Sequence, residues 1–255
     1  HEWIAFLDAD DEWLPRKLEL QVRLLEENPE WVWCGANYIL CSCQQNRRGP
    51  SIDPYKAAEL LGGQNGFANY FQARMAGIPV CTIVLLIKRA VIKEAGLFLP
   101  GLFRGEDTDL WFRIAYHWPE IGYISKPLAI YHMDIPDSST RKHQSFKDMS
   151  ALVQKHIKLS QDYGQLDNYL PCAVGNIRSW IRSSLFDERI YEVKNVLRKF
   201  SIYLPKKYIF YVRLLIIFPR LTMLILQAIS WCVRTFKLRK KITRRRVLEI
   251  PQNNR

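Results

Sequence analysis

Three carboxylates follow directly on an apolar run near the start of the chain. Residues 3–7 read WIAFL, and Asp8, Asp10 and Asp11 come next. Clustered carboxylates at the mouth of a buried strand repel one another and lose hydration unless a cation lies among them. Because Mg²⁺ and Mn²⁺ prefer carboxylate oxygens and Mg²⁺ often also binds substrate phosphates, the cluster predicts a divalent-metal site. The alternative is a solvated turn that caps the following helix.

A second acidic cluster, Glu106, Asp107 and Asp109, opens a predicted helix that continues as LWFRIAYH. The simplest explanation is the favourable interaction of acidic side chains with a helix N-terminus. Helical spacing places Asp107 at the head of the apolar stripe of this helix. Glu106, Asp109 and Arg113 form its charged face instead. Partial burial would make Asp107 a better proton acceptor than a free aspartate, which suits a general base for a sugar or alcohol hydroxyl.

The segments that would position these clusters alternate between strand-like and helix-like patterns, which is the signature of an α/β fold. The run 3–7 predicts a buried, parallel strand, and the polar stretch 44–54 predicts a loop. A boundary near residue 140 separates this α/β part from a helical part. The other predicted strands are 31–41, 81–87 and 123–133, and the predicted helices are 14–28, 89–95, 106–117, 144–163, 167–185 and 187–200.

Most of the net charge of +12 lies at the C-terminal end of the chain. Residues 208–255 contain eleven Lys/Arg and one acidic residue, so residues 1–207 are almost neutral. The segment 208–233 is apolar except for Arg213 and Arg220, and eight basic residues follow between 234 and 246. This pattern is typical of segments that bind a membrane surface. We therefore expect an anionic membrane as partner and no nucleic acid. We expect this segment either to lie in the membrane interface or to cross the membrane once. The alternative is a pair of helices that are buried or contact another subunit.

The composition, the cysteine spacing and the N-terminal sequence restrict which classes of protein are possible. With 48% hydrophobic and 24% charged residues, most of the chain is folded rather than disordered. The six cysteines show no CxxC spacing, which excludes a structural zinc site of that type and a disulfide scaffold. The first residue is His1, not Met, and no signal peptide precedes the apolar run, so we expect a fragment that lacks its true N-terminus.

Two stretches, WIAFLDADDEWLPRKLELQ (3–21) and IKRAVIKEAGLFLPGLFRGEDTDLWFRIA (87–115), and a strand ending in Tyr131 and His132 resemble the family-2 nucleotide-sugar glycosyltransferases. The resemblance covers residues 2–140 and implies a GT-A fold, a Rossmann-like α/β domain, that lacks its first strands. We therefore expect 1–140 to be the C-terminal part of a GT-A domain, 141–207 a helical extension, and 208–255 a membrane-associating tail.

The resemblance also implies a donor site at the first acidic cluster. Asp8 and Asp10 match the DxD motif of the family, in which the second carboxylate binds Mg²⁺ or Mn²⁺ on the donor diphosphate. The first carboxylate lies toward the metal or the nucleotide ribose, and Asp11 is adjacent to both. His132 occupies the place of a third metal ligand or a donor-phosphate contact; the alternative is a purely structural histidine.

The reaction implied by the resemblance is an inverting sugar transfer from a nucleotide-sugar donor to an acceptor hydroxyl. Asp107 matches the catalytic base of the ED motif, and Glu106 matches its partner facing the acceptor. The polymerase motif QxxRW is absent from residues 110–255, which favours a non-processive enzyme. We expect a glycan or lipid-linked acceptor, a role in cell-surface glycan or glycolipid synthesis, and a location on the cytoplasmic face of a membrane.

Two other interpretations remain open from the sequence. An aspartyl-phosphate phosphohydrolase also places DxD after an apolar strand and uses its first aspartate as nucleophile. Here Asp11, Glu12 and Trp13 follow the motif, which is not the usual continuation in that class. The second is an inactive membrane-associated fragment or scaffold with a degenerate site, against which the presence of Asp8, Asp10 and Asp107 argues.

Overall fold

The computed structural model describes residues 1–42, 44, 47–102, 105–134 and 145–217. The chain divides into two compact units, His1–Gly175 and Asn176–Arg255. The first unit contains the sheet and both acidic clusters, whereas the second is helical as far as it is described. The boundary that we predict near residue 140 lies outside the described residues.

One mixed sheet holds the strands of the first unit. Its order is β1-β6-β3-β7-β2, with β4 paired to β3 and β5 paired to β7. The central pair, β3 and β7, is parallel, and the other pairs described are antiparallel. The strands are β1 (Trp3–Ala5), β2 (Glu12–Trp13), β3 (Trp33–Ser42), β4 (Arg47–Pro50), β5 (Gly66–Phe67), β6 (Leu86–Lys88) and β7 (Ile121–His132).

Strands β3 and β7 confirm two of the predicted strands, but other predictions for this unit are wrong. Strand β1 is partly buried and pairs antiparallel with β6, because an apolar run indicates burial without fixing strand direction. The predicted loop 44–54 contains β4, which pairs with β3. The predicted strand 81–87 is a 3₁₀ turn over Thr82–Val84, followed by β6.

The buried amide of Asn37 stabilises an irregularity in the centre of the sheet. The β3–β7 register shifts on either side of Asn37, which leaves backbone groups without ladder partners. Its Nδ2 donates to the carbonyls of Ile52 and Ser125 at 2.8 and 3.0 Å. Its Oδ1 accepts from the Tyr38 backbone N–H at 2.9 Å and the Ser51 hydroxyl at 2.7 Å. One side chain thus satisfies the polar groups that the irregularity leaves unpaired.

The helices agree with the sequence pattern wherever their apolar faces repeat regularly. Helix α5 begins directly after Gly105, whose φ of +84° suits glycine. Helix α6 is capped by the Ser145 hydroxyl, which accepts from the backbone N–H of Asp148. The helices are α1 (Lys17–Glu27), α2 (Pro54–Leu61), α3 (Tyr70–Met75), α4 (Arg89–Glu94), α5 (Glu106–His117), α6 (Phe146–Asp162), α7 (Leu166–Phe186), α8 (Ile190–Phe200) and α9 (Lys206–Ile217).

An aromatic core joins α3, α5 and α6 within the first unit. The Phe71 ring lies 5.4 Å from the Phe112 ring and 5.3 Å from the Tyr116 ring, measured between centroids. The imidazole of His156 packs edge-on against Phe112 at 5.1 Å, and Tyr169 contacts the same group. Because these rings are almost fully buried, the C-terminal half of α5 packs firmly against α3 and α6.

A buried lysine begins helix α1, six residues after the first acidic cluster in the sequence. Lys17 is 2% exposed, and its ammonium lies 4.4 Å from the centroid of the Trp13 ring. Its Nζ donates to Gln21 Oε1 at 2.7 Å, and the described residues provide no carboxylate as an ion-pair partner for it. Burial lowers the pKa of Lys17 from 10.5 to about 8. The folded state therefore binds this proton less tightly than the unfolded state does.

We predict that Lys17→Met raises the free energy of unfolding at pH 7 by about 1–2 kcal/mol. The pKa of Lys17 is lowered on folding, so its charged form costs stability below pH 8 and this cost disappears as the pH rises toward 10.5. The difference between variant and wild type should shrink over that range in urea titrations. Lys93→Met, at an exposed position, is the control. A less stable Lys17→Met protein at pH 7 would contradict this account.

The second unit is described as far as Ile217. Helix α8 buries Val193, Val196 and Phe200. Helix α9 buries Val212 but exposes large apolar side chains, and among the described helices none has both the length and the apolar character needed to cross a membrane. The exposed apolar side chains of α9 are Phe210, Tyr211, Leu214 and Ile217.

Candidate active site

The first acidic cluster forms a tight turn at the end of β1. The backbone N–H of Asp11 donates to the Asp8 carbonyl at 3.1 Å, and the side chains of Asp8 and Asp10 are exposed. Partial desolvation raises the pKa of Asp8 above its ordinary value, and the charges of Asp10, Asp107 and Glu106 raise it further. The influence of Asp107 and Glu106 on Asp8 indicates that the two acidic clusters lie near each other in the structure, although they are far apart in the sequence.

Asp11 is the buried member of the cluster. Its Oδ1 accepts from the backbone N–H of His132 at 2.8 Å, while its Oδ2 has no hydrogen-bond partner among the described residues. Burial raises the pKa of Asp11 to about 6, an effect that the charges of Asp10 and Asp8 strengthen and the His132 contacts oppose. Asp11 thus ties the acidic turn to the end of β7 and retains one oxygen for a further contact.

His132, predicted as a metal ligand or a phosphate contact, lies at the end of β7 beside this turn. Its Nε2 is 2.8 Å from Glu12 Oε1, on the neighbouring strand β2. In the part of the chain that the structure describes, no group of three or more His, Cys, Asp or Glu side chains is placed to hold a metal. Metal binding by Asp8, Asp10 and His132 therefore stays a prediction.

The chemistry of the first cluster nevertheless suits a hard cation. Its donors are carboxylate oxygens, and Asp11 has a buried oxygen without a hydrogen-bond partner among the described residues. Burial, and after it the neighbouring negative charges, raises the pKa of Asp8. Mg²⁺ needs only one or two protein carboxylates when phosphate oxygens and waters complete its shell. Asp8 and Asp10, both exposed, are the residues that would hold such an ion.

Both carboxylate oxygens of Asp107 accept hydrogen bonds. Thr82 donates its hydroxyl to Asp107 Oδ2 at 2.9 Å. The backbone N–H of Thr108 donates to Oδ1, and the Thr108 hydroxyl lies 3.1 Å from the same oxygen. The carboxylate is therefore fixed in orientation at the N-terminus of α5, partly exposed and next to Asp8.

Asp109, which we predict on the charged face of α5 and not on its apolar stripe, is nevertheless fully buried. Its Oδ2 accepts from Arg113 Nε at 2.9 Å, one helical turn away. Its Oδ1 accepts from Lys155 Nζ and lies 3.0 Å from His156 Nε2. Because Lys155 and His156 belong to α6, this carboxylate connects the helix that carries Asp107 to the next helix.

The cationic partners of Asp109 determine its ionisation. Burial alone would raise its pKa, but the hydrogen bonds from His156 and Lys155 outweigh this effect. The charge of Arg113 acts in the same direction, so the pKa of Asp109 lies well below its ordinary value. Burial lowers the pKa of His156, which fits a neutral imidazole that donates from Nε2 to Asp109 and has Nδ1 at 3.1 Å from the Tyr116 hydroxyl.

The indole of Trp13 connects the acidic turn to the 3₁₀ turn of Thr82. Its Nε1 lies 3.2 Å from the Phe6 carbonyl and 3.1 Å from the Ile83 carbonyl. Gln21 adds a second connection, because its Nε2 donates to the Val84 carbonyl at 2.7 Å. The sequence reasoning missed Thr82, since a single threonine within an apolar run carries no signal of its own.

Comparison with known proteins supports a sugar-transferase family. The family described as Glycosyl transferase family 2 matches residues 1–84. An uncharacterized glycosyltransferase of Rickettsia bellii (strain RML369-C) is 31% identical over 129 residues, which is 50% of this chain and 17% of that protein. One from Rickettsia felis is 28% identical over 128 residues, which is 50% of this chain and 19% of that protein. The chain thus spans less than a fifth of the length of these relatives.

The fold matches that of a solved glycosyltransferase. The crystal structure of Staphylococcus aureus TarS 1-349 in complex with UDP-GlcNAc superposes with a TM-score of 0.55 at 13% identity. The match covers 87% of this chain and 64% of that one, so it extends well beyond residues 1–84. We conclude that residues 1–84 are similar to glycosyl transferase family 2 and that the α/β part of the chain shares the GT-A fold of this solved structure.

Proposed function

We propose that the protein transfers a sugar from a nucleotide-sugar donor to an acceptor hydroxyl, with inversion, metal dependence and a single addition per cycle. The observation that carries the proposal is the proximity of Asp107 and Glu106 to Asp8, the first carboxylate of the other cluster. The second acidic cluster suits a proton acceptor, and the first suits a metal-bound diphosphate. Sugar transfer needs both groups close enough to act on the same bound substrates. The family match and the UDP-GlcNAc bound to TarS support a nucleotide-sugar donor.

In the proposed mechanism, Asp107 removes the proton from the acceptor hydroxyl while its oxygen attacks the anomeric carbon. The bond to the nucleoside diphosphate breaks on the opposite face, so the configuration inverts and no covalent enzyme intermediate forms. Asp8 and Asp10 would hold Mg²⁺ or Mn²⁺, which when bound would supply positive charge to neutralise the departing diphosphate. Glu106, the exposed neighbour of Asp107, faces the acceptor, and Asp11 holds the acidic turn against His132.

The direct test is a product assay on the full-length protein with a panel of nucleotide sugars and Mn²⁺. UDP-GlcNAc is the first donor to test because it is the ligand of the TarS structure. We expect release of nucleoside diphosphate that depends on an acceptor, and NMR of the product should show an inverted anomeric centre. Release of inorganic phosphate from a phosphorylated substrate would favour the phosphohydrolase, and no product from any donor would favour an inactive scaffold.

A second test addresses the donor site. We predict that Asp10→Ala weakens Mn²⁺-dependent binding of UDP-GlcNAc at least about tenfold, since even outer-shell changes cost metal sites 10–100-fold. Calorimetric titrations with and without Mn²⁺ measure the effect. Asp162→Ala removes a carboxylate at the exposed end of α6 and should bind like the wild type. Equal Mn²⁺ dependence in Asp10→Ala and wild type would count against the DxD assignment.

We also propose that the C-terminal tail holds the protein on the cytoplasmic face of a membrane, near a glycan or lipid-linked acceptor. Helix α9 supports this proposal because Phe210, Leu214 and Ile217 are exposed at helical spacing. The sequence continues with apolar residues up to 233 and eight basic residues between 234 and 246, which lie outside the described residues. Such a segment gains from apolar burial and from attraction to anionic lipids.

We expect the protein to float with vesicles that contain phosphatidylglycerol, and truncation after Lys207 should abolish flotation. Phe210→Ser/Leu214→Ser should weaken it, whereas Tyr55→Ser, at an exposed aromatic on α2, should not. High salt should release the protein only if the segment lies in the interface, because salt screens lipid charge but not apolar burial. A protein that fails to bind these vesicles at low salt contradicts the proposal.

A further inference from the structure

We propose that Thr82 is a positioning residue for Asp107: its hydroxyl orients the carboxylate that acts as the base. The inference rests on the proposed function, because it gives Thr82 a role in the same transfer step. The contact that carries it is the 2.9 Å hydrogen bond from Thr82 Oγ1 to Asp107 Oδ2. No sequence motif points to Thr82, since it lies within the apolar run 81–87.

The hydrogen bonds around Asp107 leave little rotational freedom. The backbone N–H and hydroxyl of Thr108 contact Oδ1, so Oδ2 is the oxygen whose orientation depends on Thr82. A carboxylate oxygen has two acceptor directions, and the contact from Thr82 takes one on Oδ2. The other direction on Oδ2 suits the incoming acceptor hydroxyl. Loss of the Thr82 hydroxyl would therefore leave Asp107 free to rotate out of the attacking geometry.

The turn that carries Thr82 is itself held rigidly. It begins after Cys81, and the backbone N–H of Leu85 donates to the Thr82 carbonyl at 3.1 Å. The next two carbonyls, of Ile83 and Val84, accept from the side chains of Trp13 and Gln21. These donors lie on β2 and α1, directly after the acidic turn. The position of Thr82 is thus coupled to the motif that would bind the donor.

Asp107 is surrounded by other acidic or ionisable groups, whereas the Thr82 hydroxyl is an uncharged hydrogen-bond donor. Asp107 faces Asp8 from the acidic turn, Glu106 from its own helix, Cys81 from the segment before the 3₁₀ turn and Tyr70 from α3. Burial first, and the neighbouring carboxylates next, raise the pKa of Cys81 to about 12, so this thiol stays neutral. Because Thr82 donates through an uncharged hydroxyl, it holds Asp107 Oδ2 in place without adding a charge to this group of carboxylates.

The test compares Thr82→Val, which keeps the shape, with Thr82→Ser, which keeps the hydroxyl. In the full-length protein, with the donor that supports turnover and Mn²⁺, Thr82→Val should lower kcat about tenfold or more with KM for the donor unchanged, as expected for a hydrogen bond to a charged group. Thr82→Ser should restore kcat, because it keeps the hydroxyl that donates to Asp107 Oδ2.

The outcomes separate this inference from the proposed function. Thr82→Val with wild-type kcat, in a protein that Asp107→Asn inactivates, would overturn the role of Thr82 alone. Equal loss in Thr82→Val and Thr82→Ser would also overturn it, since the hydroxyl would then be irrelevant. A wild-type protein that turns over no nucleotide sugar would remove the proposed function and this inference with it. Thr82→Ser also covers the case in which valine disturbs the turn.

Discussion

Asp107→Asn should lower the turnover of the enzyme by about 10²–10⁴-fold, the usual contribution of a general base. The amide keeps the shape of the carboxylate but cannot take up a proton. Donor and metal binding should remain nearly intact, because Asp8 and Asp10 would provide them. The measurement is kcat with saturating donor, beside a calorimetric titration of UDP-GlcNAc with Mn²⁺.

The surroundings of Asp107 make a stability control necessary. Both of its oxygens accept hydrogen bonds, from Thr82 and Thr108, so the amide nitrogen of asparagine faces a donor in either orientation. We therefore compare the thermal midpoints of variant and wild type at the assay pH. Asp162→Asn changes an exposed carboxylate on α6 and should leave turnover unchanged. If Asp107→Asn keeps more than about a tenth of wild-type turnover, another group is the base.

Asp109→Asn should reduce the free energy of unfolding by about 3–5 kcal/mol, the usual cost of removing one partner from a buried ion pair. The substitution leaves Arg113 and Lys155 without their counter-charge in a region where Asp109 itself has no exposed surface. Urea unfolding at pH 7 measures the loss. Lys155→Met removes a partner that keeps 35% of its side chain exposed and should cost less. A loss below about 1 kcal/mol for Asp109→Asn would contradict the buried network.

The contribution of Asp109 should also depend on pH in a defined direction. Its pKa is lowered on folding by His156, Lys155 and Arg113, so the unfolded state binds the proton more tightly. The stabilisation is fully present above the ordinary Asp pKa of about 3.9 and is lost as the pH falls toward the lower folded-state value. The difference in stability between wild type and Asp109→Asn should therefore be constant near neutral pH and shrink in acid.

The predictable parts of the fold are those whose pattern is local. Strands β3 and β7 and helix α5 follow from apolar periodicity and from acidic residues at a helix start. The 3₁₀ turn at Thr82 does not, because CTIVLLI is typical of a strand and the turn depends on the Trp13 indole and the Gln21 amide. Tertiary hydrogen bonds here outweigh local propensity.

The candidate site likewise has residues that the sequence predicts and residues whose surroundings depend on distant parts of the chain. Resemblance to a family identifies Asp8, Asp10 and Asp107, because their motifs are short and contiguous. Helical spacing places Asp109 away from the apolar stripe, but it cannot show that α6 covers that side with Lys155 and His156. The burial of a charged residue becomes visible only when its partners, from a later part of the chain, are placed around it.

The sequence separation of these contacts also determines when the site can form during translation. The contact from His132 to Asp11 joins positions 121 residues apart, and the Trp13–Ile83 contact joins positions 70 residues apart. Contacts of such separation form late, since closing a long loop costs entropy before the contact compensates for it. In addition, Asp109 can contact Lys155 only after a further 46 residues have been translated. A ribosome-bound chain that ends before α6 therefore has both motifs but cannot yet complete the support of the helix that carries the base.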